Sequence, residues 1–514
     1  MQNFITKLVQ FFINFFSSHY EFQLGESHHH ELFKKGEPLA SHTKIEVLIV
    51  LTKAASNVET IVLVEEFSKK YQLKVTEKAL GKKLVRLTGT TENIEKAFRI
   101  KLHNYHGEGQ QFYSHGAAYC LPKTLKGKVM AVLGLDNLPI HLKTTGVLPD
   151  ITEEKAANNF TATELTQLYK FPEKLDGKGN TIAVIELGGG FAQSDIDAYF
   201  KAVNIPTPEI KTVLVGAAKN DPSDEQFSQE VLLDIQVVGS AAPGAQLVVY
   251  FAENSKKGYV DAVLAAVNDD SNLPTILSMS WGSPESQWPQ AIVIAMEDAL
   301  TNAKGKAITV IASSGDKGST DGLMGSLSVN YPASSPFVLG CGGTTITTKG
   351  SAIIEEVVWN TFEDMYFIDT TGGGISTLFP VPAWQKKANA ITLGNFSPAK
   401  TGRGVPDVSL HAQNYMFYQD GEKKFQSGTS AVVPMWAGLI ARFNQGTNSK
   451  LGFVNEQLYG IWLNKETSKG FNDVLSGQNG DNFYKAAKGW DPCTGLGSPI
   501  SELLLSELKK NNEV

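Results

Sequence analysis

Residues 181–313 alternate short apolar runs with longer segments in which apolar residues recur at helical spacing. The apolar runs are continuous, without alternating polar positions, which is typical of parallel strands that are covered on both faces. The pattern therefore predicts an α/β fold with a doubly wound parallel sheet, in which functional groups gather at the carboxyl ends of the strands. The predicted strands are 181–187, 213–215, 246–251, 275–281 and 308–313, and the predicted helices are 192–203, 225–239, 260–267 and 289–303.

The N-terminal part of the chain predicts a separate, smaller domain. Residues 25–143 alternate strands and helices over too short a length to be the catalytic unit, and they predict a small α+β domain of the ferredoxin-like kind. Its predicted elements include a helix that begins at residue 121 and runs into the apolar stretch 129–136. Residues 144–160 are mostly polar, contain a glycine and a proline, and predict a linker before a domain that spans 161–514.

Residues 1–24 begin with a short apolar segment. Lys7 precedes the run Leu-Val-Gln-Phe-Phe-Ile-Asn-Phe-Phe, which two polar residues interrupt and which no small-residue cleavage site follows. The segment is typical either of a weak signal peptide or of an amphipathic helix. It is too short and too polar to cross a membrane, and no later segment is long and apolar enough to do so. We expect a secreted or extracellular protein without a membrane span.

Composition and charge exclude several classes of function. With 42% hydrophobic and 19% charged residues, the 514-residue chain has the composition of an ordinary globular protein. Residues 1–143 hold 19 Lys and Arg against 13 Asp and Glu, whereas residues 144–514 hold 27 against 40. The two parts are therefore expected to be each other's electrostatic partners, and no nucleic acid partner is expected. Three cysteines, Cys120, Cys341 and Cys493, are too few for a disulfide framework.

A serine on a tight turn is the first candidate for chemistry. In residues 426–434 (Gln-Ser-Gly-Thr-Ser-Ala-Val-Val-Pro), small residues surround Ser430 and leave room for a substrate carbonyl. The apolar run 432–440 predicts a buried helix behind the turn. A hydroxyl presented in this way suits a nucleophile. The alternative is a serine that caps the N-terminus of the helix, because serine is a preferred capping residue.

The base that would activate such a serine has two candidate sources. Nine of the ten histidines lie in the first 141 residues, and only His411 shares the part of the chain that carries Ser430. Glu230 and Asp234 offer a carboxylate base, because their i and i+4 positions place them on one face of the predicted helix 225–239. Two such acids repel when both ionise, so sharing a proton would make them a coupled base at low pH. The alternative is a solvated helix edge.

A run of three glycines, Gly188 to Gly190, invites comparison with nucleotide-binding loops. The run lacks the spacing of the dinucleotide-binding fingerprint, and no acidic residue follows at the expected distance. A tight turn between a strand and a helix explains the glycines, so we expect no nucleotide cofactor.

Five motifs, in one order along the chain, give the sequence a family resemblance. They are residues 229–244, which contain Glu230 and Asp234; residues 278–282 (Ser-Met-Ser-Trp-Gly); residues 312–322, which contain Asp316; the turn around Ser430; and residues 489–499 (Gly-Trp-Asp-Pro-Cys-Thr-Gly-Leu-Gly-Ser-Pro). With these motifs the chain resembles the sedolisins, the serine-carboxyl peptidases, and within them the kumamolisin group. The resemblance implies a subtilisin-like catalytic domain. It also implies that residues 25–143 are an inhibitory prodomain and that maturation cuts the linker.

The resemblance assigns roles to four side chains: Ser430 is the nucleophile, Glu230 the base, Asp234 the partner of that base, and Asp316 the acid of the oxyanion hole. A carboxyl group can donate a hydrogen bond to an oxyanion only while it is protonated, and an acid working pH supplies that proton. The alternative is that Asp316 binds only the backbone of its own loop. Trp281 is a candidate substrate-binding residue that lines the cleft. The alternative is that it only packs in the hydrophobic core.

A metal site is implied near the C-terminus. Residues 471–474 (Phe-Asn-Asp-Val) and 487–492 (Ala-Lys-Gly-Trp-Asp-Pro) flank a loop rich in glycine and asparagine. Carboxylates and carbonyls in a flexible arrangement suit a hard cation such as calcium. The alternative is a cluster of turns that binds no metal. The resemblance implies one Ca²⁺ ion, held by the carboxylates of Asp473 and Asp491 and by the carbonyls of Val474, Ala487 and Gly489.

The sequence therefore predicts a monomeric serine-carboxyl endopeptidase that is made as a proenzyme, cleaves itself, and acts in acid on proteins or peptides. Three alternatives are a tripeptidyl aminopeptidase of the same family, a histidine-dependent subtilase that uses His411, and a catalytically inactive binding homologue. His411 lies only 19 residues before Ser430, which does not match the residue order of a conventional subtilase. The expected residue stands at all four catalytic positions, which argues against an inactive homologue.

Overall fold

The computed structural model describes residues 22–24, 33–107, 110–116, 118–140, 159–323, 325–361, 369–387, 401–464, 470–480 and 484–512. The chain forms two compact units, one mainly within residues 1–136 and the other mainly within residues 137–514. Of the predicted segment 1–24, only residues 22–24 are described, and of the predicted linker 144–160, only residues 159 and 160. The remainder of both predictions lies outside the described residues.

The N-terminal unit is a small α+β domain. Its strands are β1 (Phe22–Leu24), β2 (Lys34–Pro38), β3 (Lys44–Leu51), β4 (Lys74–Ala79), β5 (Leu84–Thr90), β6 (Leu102–Gly107), β7 (Gln110–His115), β8 (Tyr119–Leu121) and β9 (Val129–Leu133), and its helices are α1 (Val58–Lys70) and α2 (Thr91–Phe98). The chain order β3-α1-β4-β5-α2-β9 and the antiparallel sheet order β4-β5-β3-β9 are those of a ferredoxin-like fold. The predicted fold class of this domain is confirmed.

The core of this unit follows from its apolar pattern. Val47 and Ile49 of β3 are fully buried and belong to one cluster with Val64 and Phe67 of α1. The helix predicted from residue 121 is wrong, because only the 3₁₀ turn Lys123–Leu125 forms there, and the apolar stretch that follows is strand β9 beside β3. Periodicity cannot separate a short buried strand from a short buried helix, which explains the error.

The C-terminal unit is built on a central sheet. Its strands are β10 (Thr181–Leu187), β11 (Ile210–Leu214), β12 (Gln246–Ala252), β13 (Ile276–Met279), β14 (Ser283–Pro284), β15 (Thr309–Ser313), β16 (Asn330–Tyr331), β17 (Leu339–Lys349), β18 (Ala352–Val358), β19 (Gly374–Ile375), β20 (Gly404–Val405), β21 (Val408–His411), β22 (Tyr415–Gln419), β23 (Glu422–Gln426), β24 (Phe471–Asn472) and β25 (Ser498–Pro499). Its helices are α3 (Ala162–Leu168), α4 (Gln193–Ala202), α5 (Glu225–Ala241), α6 (Lys256–Val267), α7 (Gln290–Gly305), α8 (Ala383–Lys387), α9 (Thr429–Thr447), α10 (Asn455–Leu463) and α11 (Ser501–Asn512).

The order of the strands confirms the predicted mostly parallel, doubly wound sheet. The order is β11-β12-β10-β13-β15-β17-β18, and β21 also pairs with β17. Only β18 runs antiparallel to its neighbour in this sheet. The three glycines after β10 lead into α4, as expected for a turn between a strand and a helix. The carboxyl ends of β10, β13 and β15 therefore share one edge, where the candidate acids lie.

Two buried helices carry the candidate nucleophile and base. α5 holds Glu230 and Asp234, and the first turn of α9 holds Ser430. The two helices approach closely where Gly438 of α9 meets Ala241 of α5: a Cβ on Gly438 would lie 2.3 Å from the Cβ of Ala241. A larger residue at position 438 would force the helices apart, because a packed interior has no room to absorb it. The glycine thus sets the spacing between nucleophile and base.

In the described part of the chain, the buried residues Cys341 and Cys493 form no disulfide. Among the helices in the described part of the chain, none is long and apolar enough to cross a membrane.

Candidate active site

Ser430 lies in the first turn of a helix that is buried along most of its length. Gly428 occupies the N-cap position and has no side chain that could cap the helix, so Ser430 is not the capping residue. Its side chain lies close enough to Glu230 to lower the pKa of that acid. Only 8% of the residue is exposed. The small residues Gly428, Thr429 and Ala431 lie next to it in the chain, as in the tight turn predicted from the sequence. The hydroxyl group is therefore held beside a carboxyl group in a confined space.

Glu230 and Asp234 lie one turn apart on α5, as predicted. Asp234 is completely buried, which contradicts the alternative of a solvated helix edge. Burial raises the pKa of Glu230, and the charge of Asp316 raises it further, while the nearby Ser430 hydroxyl and a hydrogen bond from Gln426 oppose the rise. Gln426 donates to Glu230 Oε2 at 3.3 Å. Burial therefore favours the protonated form of Glu230.

A third acid, Glu186, joins this pair and was missed in the sequence. It is fully buried near the end of β10, and burial together with the charge of Glu230 raises its pKa well above the ordinary value. Burial, then the charges of Glu186 and Glu230, raise the pKa of Asp234. The sequence feature that could have identified Glu186 is its position inside the otherwise apolar run Thr-Ile-Ala-Val-Ile-Glu-Leu. An isolated charge is costly in a strand that is covered on both faces, so an acid there indicates a function.

The unpartnered oxygens of the three acids indicate shared protons. One oxygen of each acid is buried without a hydrogen-bond partner among the described residues: Glu186 Oε1, Glu230 Oε1 and Asp234 Oδ1. A buried carboxyl oxygen without a donor is strongly unfavourable unless a proton lies on it or on an adjacent acid. The three carboxyl groups therefore titrate as one system rather than as three independent groups.

Trp281 and Ser280 follow β13, which ends at Met279 rather than at residue 281 as predicted. The indole N–H of Trp281 donates to Glu186 Oε2 at 3.1 Å, and the residue is only 2% exposed. The ring also contacts Phe227 edge-on, with 5.7 Å between the ring centres. Trp281 therefore contacts the acid cluster directly, and its predicted role in binding substrate stays a prediction.

Asp316 lies in the loop after β15, next to the start of α9. Its Oδ1 accepts hydrogen bonds from the backbone N–H of Thr429 at 2.8 Å and from the Thr429 hydroxyl at 2.7 Å. These partners belong to the helix of Ser430 and not to the loop itself, unlike the alternative drawn from the sequence. Burial raises the pKa of Asp316. Because Oδ1 already accepts two hydrogen bonds, a proton on this acid belongs on Oδ2.

Gly315 and Asp321 shape the loop that holds Asp316. Gly315 has φ +97°, and a Cβ there would lie 2.6 Å from Asp321 Oδ1, so both conformation and space require glycine. Asp321 accepts hydrogen bonds from the side-chain amide of Asn330 at 3.1 and 3.3 Å. Burial raises the pKa of Asp321 to about 7. The loop therefore contains a second acid that is neutral in acid solution.

His411 lies away from this hydrogen-bond network. It is fully buried, and burial lowers its pKa to about 3, so the imidazole is neutral in all but strong acid. Its Nδ1 accepts the backbone N–H of Ile346 at 3.3 Å, and its ring contacts Phe160 and Tyr415. These contacts are structural and give no support to a histidine-based triad.

The predicted metal ligands surround one loop. The backbone N–H of Gly489 donates to Asp473 Oδ2 at 3.0 Å, and that of Ala487 donates to Asp491 Oδ2 at 3.2 Å. In the described part of the chain, no backbone N–H donates to the carbonyl oxygens of Val474, Ala487 or Gly489. Two carboxylates and three available carbonyls fit a hard cation. Among the described residues there is no cluster of three or more His, Cys, Asp or Glu that could hold a metal ion.

Comparison with known proteins supports a proenzyme with two parts. Residues 50–138 match the family model described as "Pro-kumamolisin, activation domain", and residues 212–480 match "Subtilase family". Kumamolisin from Bacillus sp. (strain MN-32) is 38% identical over 437 residues, covering 82% of this chain and 78% of the relative. Tripeptidyl-peptidase sed5 from Aspergillus fumigatus is 26% identical over 514 residues, covering 88% of this chain and 86% of the relative.

A solved structure gives the same result for the fold. Pseudomonas sedolisin, described as a serine-carboxyl proteinase in complex with two molecules of pseudo-iodotyrostatin, superposes with a TM-score of 0.63 at 29% identity. The match covers 69% of this chain and 99% of the sedolisin chain. The chain belongs to the sedolisin family of serine peptidases, with a pro-kumamolisin activation domain ahead of a catalytic domain of the subtilisin-like fold.

Proposed function

We propose that this sedolisin-family peptidase is an acid-acting serine-carboxyl endopeptidase that processes its own proenzyme. The observation that carries the proposal is the position of Ser430 beside Glu230, an acid with two buried acids as neighbours. A serine needs a base to become a nucleophile, and here that base is a carboxylate in a confined, largely dry site. His411 has a different environment and serves the fold.

The proposed reaction uses three side chains. The Ser430 oxygen attacks the carbonyl carbon of the scissile bond, and its proton passes to Glu230. Asp316, protonated on Oδ2, donates a hydrogen bond to the oxyanion that forms. The tetrahedral intermediate then collapses, Glu230 returns the proton to the leaving amine, and an acyl-enzyme remains on Ser430. Water hydrolyses the acyl-enzyme by the same steps, with Glu230 again taking and returning a proton.

The charges required by this reaction predict a bell-shaped dependence on pH. Glu230 must be ionised to accept a proton, so activity falls as the pH drops through the pKa of the acid cluster. Asp316 must be protonated to donate, so activity falls as the pH rises through its pKa. Burial raises the pKa of both groups above the ordinary values of about 4 for carboxyl groups. We propose that the active form occurs in acid and carries one proton fewer than the fully protonated site.

Self-processing tests the proposed function directly. When the purified full-length chain is incubated at about pH 4 and about pH 7, we expect cleavage within residues 144–160 only in acid. Mass spectrometry of the fragments identifies the bond and gives the time course. An intact chain at both pH values would contradict the proposal and favour an inactive homologue.

Because one of the relatives is a tripeptidyl peptidase, tripeptidyl peptidase activity is the second candidate function. A tripeptidyl peptidase requires a free amino terminus on its substrate, whereas an endopeptidase does not. We expect the processed enzyme to cleave internal bonds of an N-terminally acetylated peptide. Release of tripeptides from the free peptide, with no cleavage of the acetylated one, would establish the second function instead.

We further propose that the N-terminal domain inhibits the catalytic domain until the linker is cut. Its excess of basic residues, against an acidic remainder of the chain, supports an electrostatic contribution to this inhibition.

Substrates are proteins or peptides, and the enzyme is proposed to act outside the cell as a monomer.

A calcium ion is proposed at the loop formed by residues 487–489. When bound, the ion would be held by the carboxylates of Asp473 and Asp491 and by three carbonyls, and it would stabilise the fold without entering the reaction. A ligand that binds only the folded state stabilises it by about 2.7 kcal/mol at a hundred times its dissociation constant. We therefore expect EGTA to lower the melting temperature of the enzyme.

The matched variant for the calcium experiment is Asp473→Asn. Asp473 accepts one hydrogen bond from the described loop, whereas Asp491 also accepts hydrogen bonds from residues 493 and 494 and therefore has a structural role of its own. Asp473→Asn should melt at the same temperature with and without EGTA. If EGTA leaves the parent enzyme unchanged as well, the calcium site is wrong.

A further inference from the structure

Ser280, which follows β13, makes the shortest hydrogen bond to Asp234. Its hydroxyl donates to Asp234 Oδ2 at 2.6 Å and lies 3.4 Å from the backbone carbonyl oxygen of Ser430. The residue is 3% exposed. Its own carbonyl accepts the hydroxyl of Ser313, from the end of β15, at 2.9 Å. Ser280 is therefore fixed by the neighbouring strand and contacts the acid cluster from the sheet, on the opposite side from α5.

A donor to one oxygen of a carboxyl group determines where the proton of that group lies. A protonated carboxyl oxygen is a poor acceptor, so the hydrogen bond from Ser280 to Oδ2 favours a proton on Oδ1. Asp234 Oδ1 is the oxygen that has no partner among the described residues. From that oxygen the proton can be shared with the other acids of the cluster, each of which also has one unpartnered oxygen.

We propose that Ser280 is a positioning residue that keeps the proton of Asp234 on Oδ1, where it is shared with the neighbouring acids and leaves Glu230 free to act as the base. This inference rests on the proposed function, because it assigns Glu230 the role of base. Ser280 does not exchange a proton with Ser430 or with substrate. Its role resembles that of a carboxylate that fixes the tautomer of a catalytic histidine, but here a hydroxyl fixes the proton of an acid.

The titratable groups around Asp234 come from three elements. Glu230 lies on the same helix α5 as Asp234, and Glu186 comes from β10. Tyr259 comes from α6, and its pKa is raised by burial and then by the charges of Glu186 and Asp234. Each of these groups is negatively charged when ionised, so each opposes ionisation of the cluster. The hydrogen bond from Ser280 opposes that effect, because it stabilises the cluster of acids that has lost one proton.

Ser280→Ala tests the inference, with kcat, KM and the pH profile of the processed enzyme as readouts. Without the donor, the acid cluster loses its first proton at a higher pH, so the acidic limb of the kcat profile should move to higher pH. We expect kcat to fall about 10- to 100-fold, the range for loss of a hydrogen bond to a charged group. KM should change little, because the hydroxyl acts on Asp234. Ser280→Cys retains the volume but has a weak donor, and it should shift the limb in the same direction.

The matched control is Ser278→Ala, which removes a hydroxyl of the same size from the same strand. Ser278 is fully buried, and its hydroxyl has no hydrogen-bond partner among the described residues. Its removal should leave kcat and both limbs of the profile as in the parent enzyme. If Ser280→Ala and Ser280→Cys have the acidic limb of the parent, Ser280 has no positioning role. Glu230→Ala separates the two proposals, because retained activity in that variant would overturn the carboxylate base itself.

Discussion

Ser430→Ala is expected to abolish both peptide hydrolysis and self-processing while the protein stays folded. The substitution removes the atom that forms the acyl-enzyme, and loss of the serine in a serine peptidase costs on the order of 10⁶-fold in kcat. It also removes only one buried oxygen from a residue that is 8% exposed, so little packing is lost. The measurement is turnover of a peptide in acid together with the mass of the incubated proenzyme. Residual self-processing at the parent rate would mean that another residue is the nucleophile.

Glu230→Ala and His411→Asn form the matched pair that identifies the base. Glu230→Ala should approach the loss seen for Ser430→Ala, because the two side chains act as one unit and such losses do not add. His411→Asn keeps an acceptor for the backbone N–H of Ile346 and should retain most of the turnover. A loss in His411→Asn as large as that in Glu230→Ala would restore the histidine-based alternative.

Asp316 gives the second large expected effect. Asp316→Ala removes a donor to the oxyanion and should lower kcat by about 10²- to 10³-fold with little change in KM. Asp316→Asn should behave differently. Its amide oxygen can still accept the two hydrogen bonds from Thr429, and its NH₂ group takes the place of the protonated Oδ2. The amide donates at any pH, so the alkaline limb of the rate profile should disappear and activity should extend toward neutral pH.

The two Asp316 variants distinguish a proton donor from a structural acid. Their activities are compared from about pH 3 to about pH 8, a range that spans the ordinary carboxyl pKa and the raised values. If Asp316→Asn retains the alkaline limb of the parent enzyme, another group causes that limb. If Asp316→Asn is as inactive as Asp316→Ala at every pH, then the ionised carboxylate is required and the oxyanion assignment is wrong.

The fold was predictable because its strands and helices differ clearly in apolar pattern. β10 was predicted with its observed bounds, and α5 differs from its prediction by two residues at one end. The wrong helix after residue 121 comes from a five-residue apolar run, in which a strand and a helix have the same pattern. The bounds of a long periodic segment are therefore predicted more reliably than the secondary-structure type of a short apolar segment.

The site was predictable only in part, because its contacts join distant residues. Ser430, Glu230, Asp234 and Asp316 were found through motifs, and the structure brings them together. Glu186 precedes Trp281 by 95 positions in sequence, and no spacing rule connects the two. The hydrogen bond from Ser280 to Asp234 depends on where β13 ends relative to α5, which the sequence pattern does not determine.

The buried acids also connect the stability of the catalytic unit to the acidity of its surroundings. A carboxyl group whose pKa is raised by folding binds its proton more tightly in the folded than in the unfolded chain. Its contribution to stability is complete below the unfolded pKa of about 4 and is lost as the pH rises through the folded pKa, which is about 7 for Asp321. Burial also raises the pKa of the proposed oxyanion donor Asp316, which loses its proton as the pH rises. On the proposed mechanism, a rise in pH therefore inactivates the enzyme and also makes its catalytic unit easier to unfold.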